Sequence, residues 1–241
     1  MIDLYSETKQ RCNLAKRKRE SSYPLKVILV VLSLVLFIPV PWPAYGQSVI
    51  HISFDGYEVG KPPTGWGSRN GKIGDVYSVQ EEEGRKFLHA DARGTAVQIG
   101  NECKWSLKEY PVLEWQWRAL VLPDKGDELK KETNDSVLGL YVVFGRQPFM
   151  KAIKYLWSTT LPVGLTLESP YSSRTKMIVL ESGDALLGKW VSERRDVLAD
   201  YRTLFESKDD APAARGIAIL TDADDTLSRA SGDYGDIDIH K

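Results

Sequence analysis

The amino-acid sequence predicts an all-β domain, an antiparallel sandwich that carries one short amphipathic helix. The first observation is a strict alternation of apolar and polar residues over residues 112–121, which is typical of a strand with one buried face. The second is a series of short strand-like segments separated by glycine, aspartate and proline turns. The third is a single stretch with helical periodicity close to residue 200.

The predicted strands follow one another along the chain, with turn residues between most of them. They cover residues 49–54, 76–79, 86–90, 96–99, 112–121, 137–144, 153–158, 176–180, 189–195, 216–220 and 236–240. Segments 76–79 and 86–90 are expected to form a hairpin whose charged tip is residues 81–84. Segment 137–144 is apolar on both faces and is therefore predicted to be a central strand.

Periodicity also assigns side chains to faces. In segment 112–121, Leu113, Trp115 and Trp117 fall on one face, which we expect to lie in the core. The predicted helix has an apolar stripe and could be capped by Asp196. The residues of the stripe are Val197, Leu198, Tyr201, Leu204 and Phe205.

Residues 1–46 are predicted to be a signal peptide, with a basic n-region, an apolar h-region at residues 27–38 and small residues before Gln47. The apolar run is shorter than the roughly 20 residues that a helix needs to cross a bilayer. Cleavage is therefore favoured, and an uncleaved N-terminal anchor is the alternative. We expect residues 47–241 to form a single β-sandwich domain that is periplasmic or secreted, with no stable membrane span after signal removal.

Charge and composition exclude several classes of protein. The chain has a formal net charge of -1, which averages a leader of +4 (residues 1–46) and a domain of −5 (residues 47–241). A mildly acidic domain argues against nucleic acid as a partner. The chain has two cysteines, of which Cys12 lies in the leader, and three histidines. These counts argue against a disulfide-stapled scaffold and a zinc module rich in cysteine and histidine.

Several longer segments together resemble a known family. They are residues 110–118, 132–135, 153–158, 189–201 and 216–225. These segments are similar to the bacterial domain-of-unknown-function family numbered 3047, and the resemblance covers most of residues 50–240. It implies an exported β-rich domain of a Gram-negative bacterium and no particular activity.

A looser similarity concerns the two ends of the predicted domain. Segments 54–56 and 63–66, together with 236–239, resemble the ends of jelly-roll carbohydrate-binding modules, and Gly188-Lys-Trp190 before a short helix resembles the galactose-binding-like jelly roll. This likeness implies a galactose-binding-like jelly-roll sandwich. It also implies a structural calcium ion where the chain ends meet, for which Asp55 and Asp238 are the candidate ligands. The residues themselves indicate no cofactor.

The polar face of segment 112–121 provides the first candidate ligand-binding residues, Glu114, Gln116 and Arg118. Charged and amide groups in this arrangement can hydrogen-bond sugar hydroxyls. The simpler interpretation, which we favour, is a solvated sheet face with cross-strand ion pairs. Further candidates for the same groove are Asp135, Tyr155, Trp157 and Arg195, with the two aromatic rings as a stacking platform for a sugar. Burial of both rings in the core and a helix-bracing role for Arg195 are the alternatives.

The acidic segment 222–225 is a second possible calcium site, since Ca²⁺ binds several oxygen ligands. It fails the EF-hand pattern, because the sixth position from Asp222 is Leu227 rather than glycine. We therefore interpret it as a polar turn whose aspartates cap backbone groups.

The first functional hypothesis is a non-catalytic module that binds a carbohydrate or another polar envelope component. The second is a glycoside hydrolase or lyase that pairs Glu114 with Asp135 or Glu193. The third is a structural or assembly protein of the periplasm. The sequence leaves catalytic residues and the oligomeric state open.

Overall fold

The structure of the chain is a computed structural model that describes residues 50–207 and 212–241. The predicted signal peptide, residues 1–46, lies outside the described residues. Within the described part of the chain, no helix combines the length and apolar character needed to span a membrane.

Thirteen strands and one α-helix make up the described fold. In chain order they are β1 (Ile50–Ile52), β2 (Gly67–Ser68), β3 (Tyr77–Glu82), β4 (Arg85–Arg93), β5 (Ile99–Asn101), β6 (Val112–Val121), β7 (Leu138–Phe144), β8 (Lys151–Ser158), β9 (Thr166–Ser169), β10 (Ser172–Ser182), β11 (Val191–Asp196), α1 (Val197–Leu204), β12 (Ala214–Leu220) and β13 (Arg229–His240). Two short 3-10 turns cover Ile73–Asp75 and Lys131–Thr133.

The strands form two sheets. Sheet A has the order β11-β6-β13-β4-β3, with β1 also paired to β13, and sheet B has the order β2-β5-β12-β7-β8-β10-β9. This confirms the predicted jelly-roll-type β-sandwich and the central position of the strand at residues 138–144. Two strands, β2 and β9, were not predicted. The pairing of β8 with β10 is parallel, whereas all the other paired strands are antiparallel.

The core lies between the two sheets and is rich in aromatic side chains. The Trp117 ring of sheet A packs against the Trp157 ring of sheet B, with centroids 6.3 Å apart, and Trp115 lies 5.4 Å from Tyr155. Trp115 and Trp117 are buried, as the alternation in β6 predicts. Contacts between such rings add to the stabilisation that their burial provides.

Helix α1 begins where the sequence predicts. The side chain of Asp196 accepts a hydrogen bond of 2.9 Å from the backbone N–H of Ala199, which confirms the predicted cap. Val197 and Tyr201 are buried and hold the helix against the core, and the Tyr201 ring lies 5.0 Å from the ring of Phe144. The helix thereby covers the end of the sandwich next to β7 and β11.

Candidate functional site

The polar residues of β6 lie together on the surface of sheet A that points away from the core, here called the polar face. In the register of sheet A, Glu114 lies opposite Arg194 of β11 and Asp238 of β13, while Arg118 lies opposite Asp233. The alternation in β6 places its apolar residues in the core and its polar residues outside. The polar face therefore brings together Glu114, Gln116 and Arg118, as the alternation in the sequence predicts.

Arg118 on this face is held by two carboxylates. Its Nε donates a hydrogen bond of 2.7 Å to Asp233, and its Nη1 donates one of 2.8 Å to Glu82 on β3. Asp233 is fully buried and lies beside His89, with 2.7 Å between Oδ1 and Nδ1. The guanidinium thus joins β6, β13 and β3 through charge-assisted hydrogen bonds.

Glu114 and Gln116 are also engaged by neighbouring strands. Glu114 forms an ion pair with Arg194 and lies 3.1 Å from Nε2 of His240. Gln116 donates a hydrogen bond of 2.9 Å to the hydroxyl of Ser192. These contacts match the interpretation of β6 as a sheet face with cross-strand pairs.

All three histidines of the chain lie on the polar face, each beside a carboxylate. The nitrogen–oxygen distances are 2.8 Å for His51 and Asp238, 2.7 Å for His89 and Asp233, and 3.1 Å for His240 and Glu114. In the sequence these histidines lie in three separate predicted strands. Their carboxylate partners lie on other strands, far away in the sequence. The pairing could be predicted only if the order of the strands in the sheet were known.

A pocket of about 320 Å³ opens at the edge of the polar face, and we call it the Trp190 pocket. It is lined by Glu82, Glu83, Arg85, Phe87 and Trp190. The edge of Phe87 packs against the Trp190 ring at 5.4 Å between centroids. The guanidinium carbons of Arg85 and Arg118 each lie 4.8 Å from the centre of the indole ring. The pocket therefore combines an aromatic wall with cations and carboxylates.

Trp190 belongs to the segment that resembles the jelly roll and is not among the predicted site residues. The sequence signal was a tryptophan at the start of a predicted strand, beside the charged run of residues 193–196. Tryptophan is large and is rarely fully buried, so a tryptophan beside a run of charged residues is a candidate for a partly exposed ring.

Tyr155 and Trp157 do not lie in a groove, and the prediction of a sugar platform is wrong for both. Both side chains are fully buried and face Trp115 and Trp117 across the sandwich. Strand β8 is covered on its other face as well, by a small apolar cluster that contains Leu156. With both faces buried, the periodicity of β8 could not indicate which residues meet solvent.

Arg195 braces the helix rather than facing the polar face. Its guanidinium donates two hydrogen bonds to the carboxylate of Asp200, from Nε at 3.0 Å and from Nη2 at 2.5 Å. In β11 it lies opposite the inward-facing Leu113, whereas Arg194 points to the polar face. The prediction of Arg195 as a groove residue is therefore wrong, and the helix-bracing alternative describes its position.

Glu193 also points to the inner side of β11, where the Nε1 of Trp117 donates a hydrogen bond of 3.2 Å to it. Burial raises its pKa to about 7, and the charge of Glu181 adds to this shift. Glu114 and Glu193 therefore lie on opposite faces of sheet A. A glycosidase pair must flank one bond of the substrate, so these two carboxylates do not form one.

Asp135 lies away from the polar face, in a cluster of three carboxylates with Asp222 and Asp224. One oxygen from each of the three side chains lies within 4.8 Å of the others. Asp135 is buried and accepts hydrogen bonds from the backbone N–H groups of Asp225, at 3.2 Å, and Thr226, at 2.7 Å. The Asx-turn interpretation of segment 222–225 thus missed Asp135, which joins that segment from the loop before β7.

Burial and charge shape this cluster. Burial raises the pKa of Asp222 to about 9; the charge of Lys154 acts against this rise, and the neighbouring Asp224 and Asp135 carboxylates reinforce it. Lys154 is itself buried, and its Nζ donates a hydrogen bond of 2.5 Å to the hydroxyl of Ser136. The cluster can therefore take up a cation or hold protons.

The two calcium ligands expected from the jelly-roll likeness, Asp55 and Asp238, do not belong to this carboxylate cluster. Asp238 lies on β13 beside His51, and Asp55 lies in the exposed turn that follows β1. Among the described residues, the group of acidic side chains with metal-ligand spacing is the one formed by Asp135, Asp222 and Asp224. A calcium ion at Asp55 and Asp238 stays a prediction.

Comparison with solved structures finds distant similarity to a carbohydrate recognition domain and to several enzymes named as xylanases or endoglucanases. The carbohydrate recognition domain of Emp47p matches 75% of this chain and 90% of its own, with 12% identity and a TM-score of 0.41. Endoglucanase 3 of Trichoderma harzianum, from family GH12, matches 83% of this chain and 97% of its own, with 9% identity and a TM-score of 0.37. The family 11 xylanase of Neocallimastix patriciarum matches 75% and 95%, with 8% identity and a TM-score of 0.33. Similarity this low says nothing about activity or ligand.

Comparison with curated protein sequences finds no match. Comparison with family models finds a match over residues 65–238, which cover β2 to β12 and most of β13 and include Glu114, Gln116, Arg118 and the carboxylate cluster. The chain therefore belongs to the family described as Protein of unknown function (DUF3047).

Proposed function

We propose that the chain is an exported, non-catalytic module that binds a carbohydrate or another polar envelope ligand at the Trp190 pocket. The observation that carries this proposal is the composition of the pocket, in which one indole ring lies between arginines and carboxylates at the edge of a polar sheet face. The volume of about 320 Å³ lies at the lower end of the range of about 300–1,000 Å³ for ligand pockets.

The chemistry of the pocket suits a polyhydroxylated ligand. Trp190 is half-buried, and the exposed part of its indole ring offers an apolar surface to the C–H face of a sugar ring. Arginine donates and glutamate accepts hydrogen bonds, so Arg85 can donate to the oxygen of a sugar hydroxyl and Glu82 can accept from the O–H of another. The Arg118 network keeps these groups in place, because Glu82 is hydrogen-bonded to Arg118 and the Arg118 guanidinium lies against Trp190.

We favour binding over catalysis because carboxylates of the polar face are already matched with cationic or imidazole neighbours. Glu114 pairs with Arg194, Asp233 pairs with Arg118, and Asp238 lies beside His51. Glycoside hydrolysis needs a carboxylic acid and a second carboxylate that face each other across the scissile bond.

Export is the second part of the proposal and rests on the predicted signal peptide, residues 1–46. We expect the mature protein to begin at Gln47 and to be recovered from the periplasm or the medium. N-terminal sequencing of the protein from fractionated cells tests this, and a protein that begins at Met1 in the cytoplasmic fraction would contradict it.

The binding proposal is tested with Trp190→Ala in affinity electrophoresis through gels that contain defined polysaccharides, after a glycan array has selected them. We expect the wild-type protein to be retarded and Trp190→Ala to bind at least about tenfold more weakly, because the stacking surface is lost. Phe149→Ala is the matched control, since Phe149 is 72% exposed and lies outside the Trp190 pocket. Equal thermal midpoints for the proteins show that the variants are folded.

Two results would overturn the proposal. One is that the wild-type protein binds no glycan on the array and is retarded by no polysaccharide in the gels. The other is retention that Trp190→Ala leaves unchanged. Reproducible co-purification with an envelope protein in either case would favour the periplasmic assembly role instead.

A further inference from the structure

The carboxylate cluster of Asp135, Asp222 and Asp224 joins two loops that are far apart in the sequence. Asp135 lies just before β7, while Asp222 and Asp224 lie between β12 and β13. One oxygen of each side chain lies within 4.8 Å of the other two. Carboxylates repel one another at such distances unless a proton or a cation lies between them.

Asp222 gives an independent sign that the cluster holds a ligand. The residue is 8% exposed, and its Oδ1 is inaccessible to solvent and has no hydrogen-bond partner in the described part of the chain. Leaving a buried polar atom unsatisfied is costly, more so for a charged group. A bound cation at the cluster would satisfy this oxygen.

Among the described residues, the buried cations do not balance the ionised cluster. Lys154 is the buried cation nearby, and its ammonium group donates to Ser136. Three clustered carboxylates and that of Asp225 lie near this one positive charge. The Tyr171 hydroxyl donates its hydrogen bond to the Asp225 carboxylate, with 2.8 and 2.7 Å to the two oxygens. With all four carboxyl groups ionised, the cluster and Asp225 place four negative charges beside one ammonium group, which favours a divalent cation.

From this geometry we infer that Asp135, Asp222 and Asp224 form a calcium-binding site. Ca²⁺ binds oxygen ligands at about 2.3–2.6 Å, so ligands on opposite sides of the ion lie about 4.6–5.2 Å apart. The observed limit of 4.8 Å allows the three oxygens to surround one ion. Asp135 keeps its hydrogen bonds to Asp225 and Thr226, because a carboxylate has about four lone-pair positions.

The inferred site is separate from the calcium ligands expected at Asp55 and Asp238, and it does not depend on the proposed carbohydrate pocket. The ion would tie the loop before β7 to the loop between β12 and β13. Both loops flank the central strands of sheet B. Because the ion binds the folded protein and not the unfolded chain, it would raise the thermal midpoint with increasing calcium concentration.

Isothermal titration calorimetry of the chelator-treated protein with CaCl₂ tests the site, together with thermal unfolding in EDTA and in excess Ca²⁺. We expect one saturable calcium site and a higher thermal midpoint in Ca²⁺. Asp224→Asn should weaken binding by about tenfold or more, because ligand charge sets the affinity of such sites. Asp222→Asn should do the same. Asp184→Asn, at another exposed acidic residue, should bind Ca²⁺ as the wild type does.

Asp224 is exposed, so Asp224→Asn is expected to fold even if the variant of the buried Asp222 does not. Wild-type protein that shows neither calcium binding nor a thermal shift would overturn the inference, and a proton shared by Asp222 and Asp224 would then explain the cluster. Calcium binding that Asp224→Asn leaves unchanged would also overturn it. If such residual binding is lost in Asp238→Asn, the ion belongs to the chain-end site.

Discussion

The contrast between Arg118 and Arg194 shows how burial decides what an ion pair contributes. Both lie on the polar face, but the Arg118 side chain is 15% exposed and pairs with the fully buried Asp233, whereas Arg194 is 58% exposed. We expect Arg118→Met to lower the free energy of unfolding by about 3 kcal/mol, since it leaves a buried carboxylate without its cation. Arg194→Met should cost less than about 1 kcal/mol. Urea unfolding of both variants measures the difference, and equal losses would contradict the argument.

Glu193 makes the stability of the domain depend on pH. Burial raises its pKa from the ordinary 4.5 to about 7, with a smaller contribution from Glu181. Between these values the folded protein keeps a proton that the unfolded chain has released. The free energy of unfolding therefore falls as the pH rises from 4.5 to about 7, and the full penalty is present above that range.

Glu193→Gln removes this titration and keeps an acceptor for the indole N–H of Trp117. We expect the stability of the variant relative to the wild type to increase between about pH 5 and about pH 8. Urea unfolding at a series of pH values checks this. A difference that stays constant or decreases with rising pH would show that burial does not act on this carboxyl as argued.

Among the secondary-structure elements, β6 and β8 show what a pattern can and cannot predict. The alternation in β6 correctly separates Trp115 and Trp117, which are buried, from Glu114 and its polar neighbours. The prediction is correct because, in a strand with one buried face, apolar and polar residues alternate and so indicate which side chains are buried. Strand β8 is buried on both faces, so its sequence shows no alternation of apolar and polar residues. The exposure expected for Trp157 is therefore wrong.

The pairing of β12 with β5 requires a residue without a side chain at position 216. A Cβ atom there would lie 2.3 Å from the carbonyl oxygen of Asn101, which is too close for any contact. Gly216→Ala is therefore expected to lower the free energy of unfolding by about 2 kcal/mol, because the two strands must move apart. At Gly56 a Cβ would meet no atom within 4 Å, so Gly56→Ala should change stability by less than about 1 kcal/mol. Chemical denaturation of the two variants measures the contrast, and equal effects would contradict it.

For the whole molecule, the parts of the candidate sites that sequence reasoning missed are contacts between distant segments. Asp135 meets Asp222 across about 90 residues, as shown by its hydrogen bonds to Asp225 and Thr226. His89 meets Asp233 in the same way, because β4 and β13 are neighbours in sheet A. The fold class can be predicted from local periodicity, which each segment shows in its own sequence. The order of the strands has no such local signal. Single residues of a site that spans several strands could therefore be predicted, but not which of them lie together.

The continuous core predicts that residues 47–241 unfold as one unit. Trp115 and Trp117 from sheet A and Trp157 from sheet B belong to one apolar cluster, so neither sheet can keep its buried face without the other. We expect a chain that begins at Gln47 to unfold in urea in a single transition, with the same midpoint by tryptophan fluorescence and far-UV circular dichroism. The measurement is made at one fixed calcium concentration, because a bound ion would shift the midpoint. Two separate transitions, or midpoints that differ between the two signals, would show that the sheets are independent and would contradict a single domain.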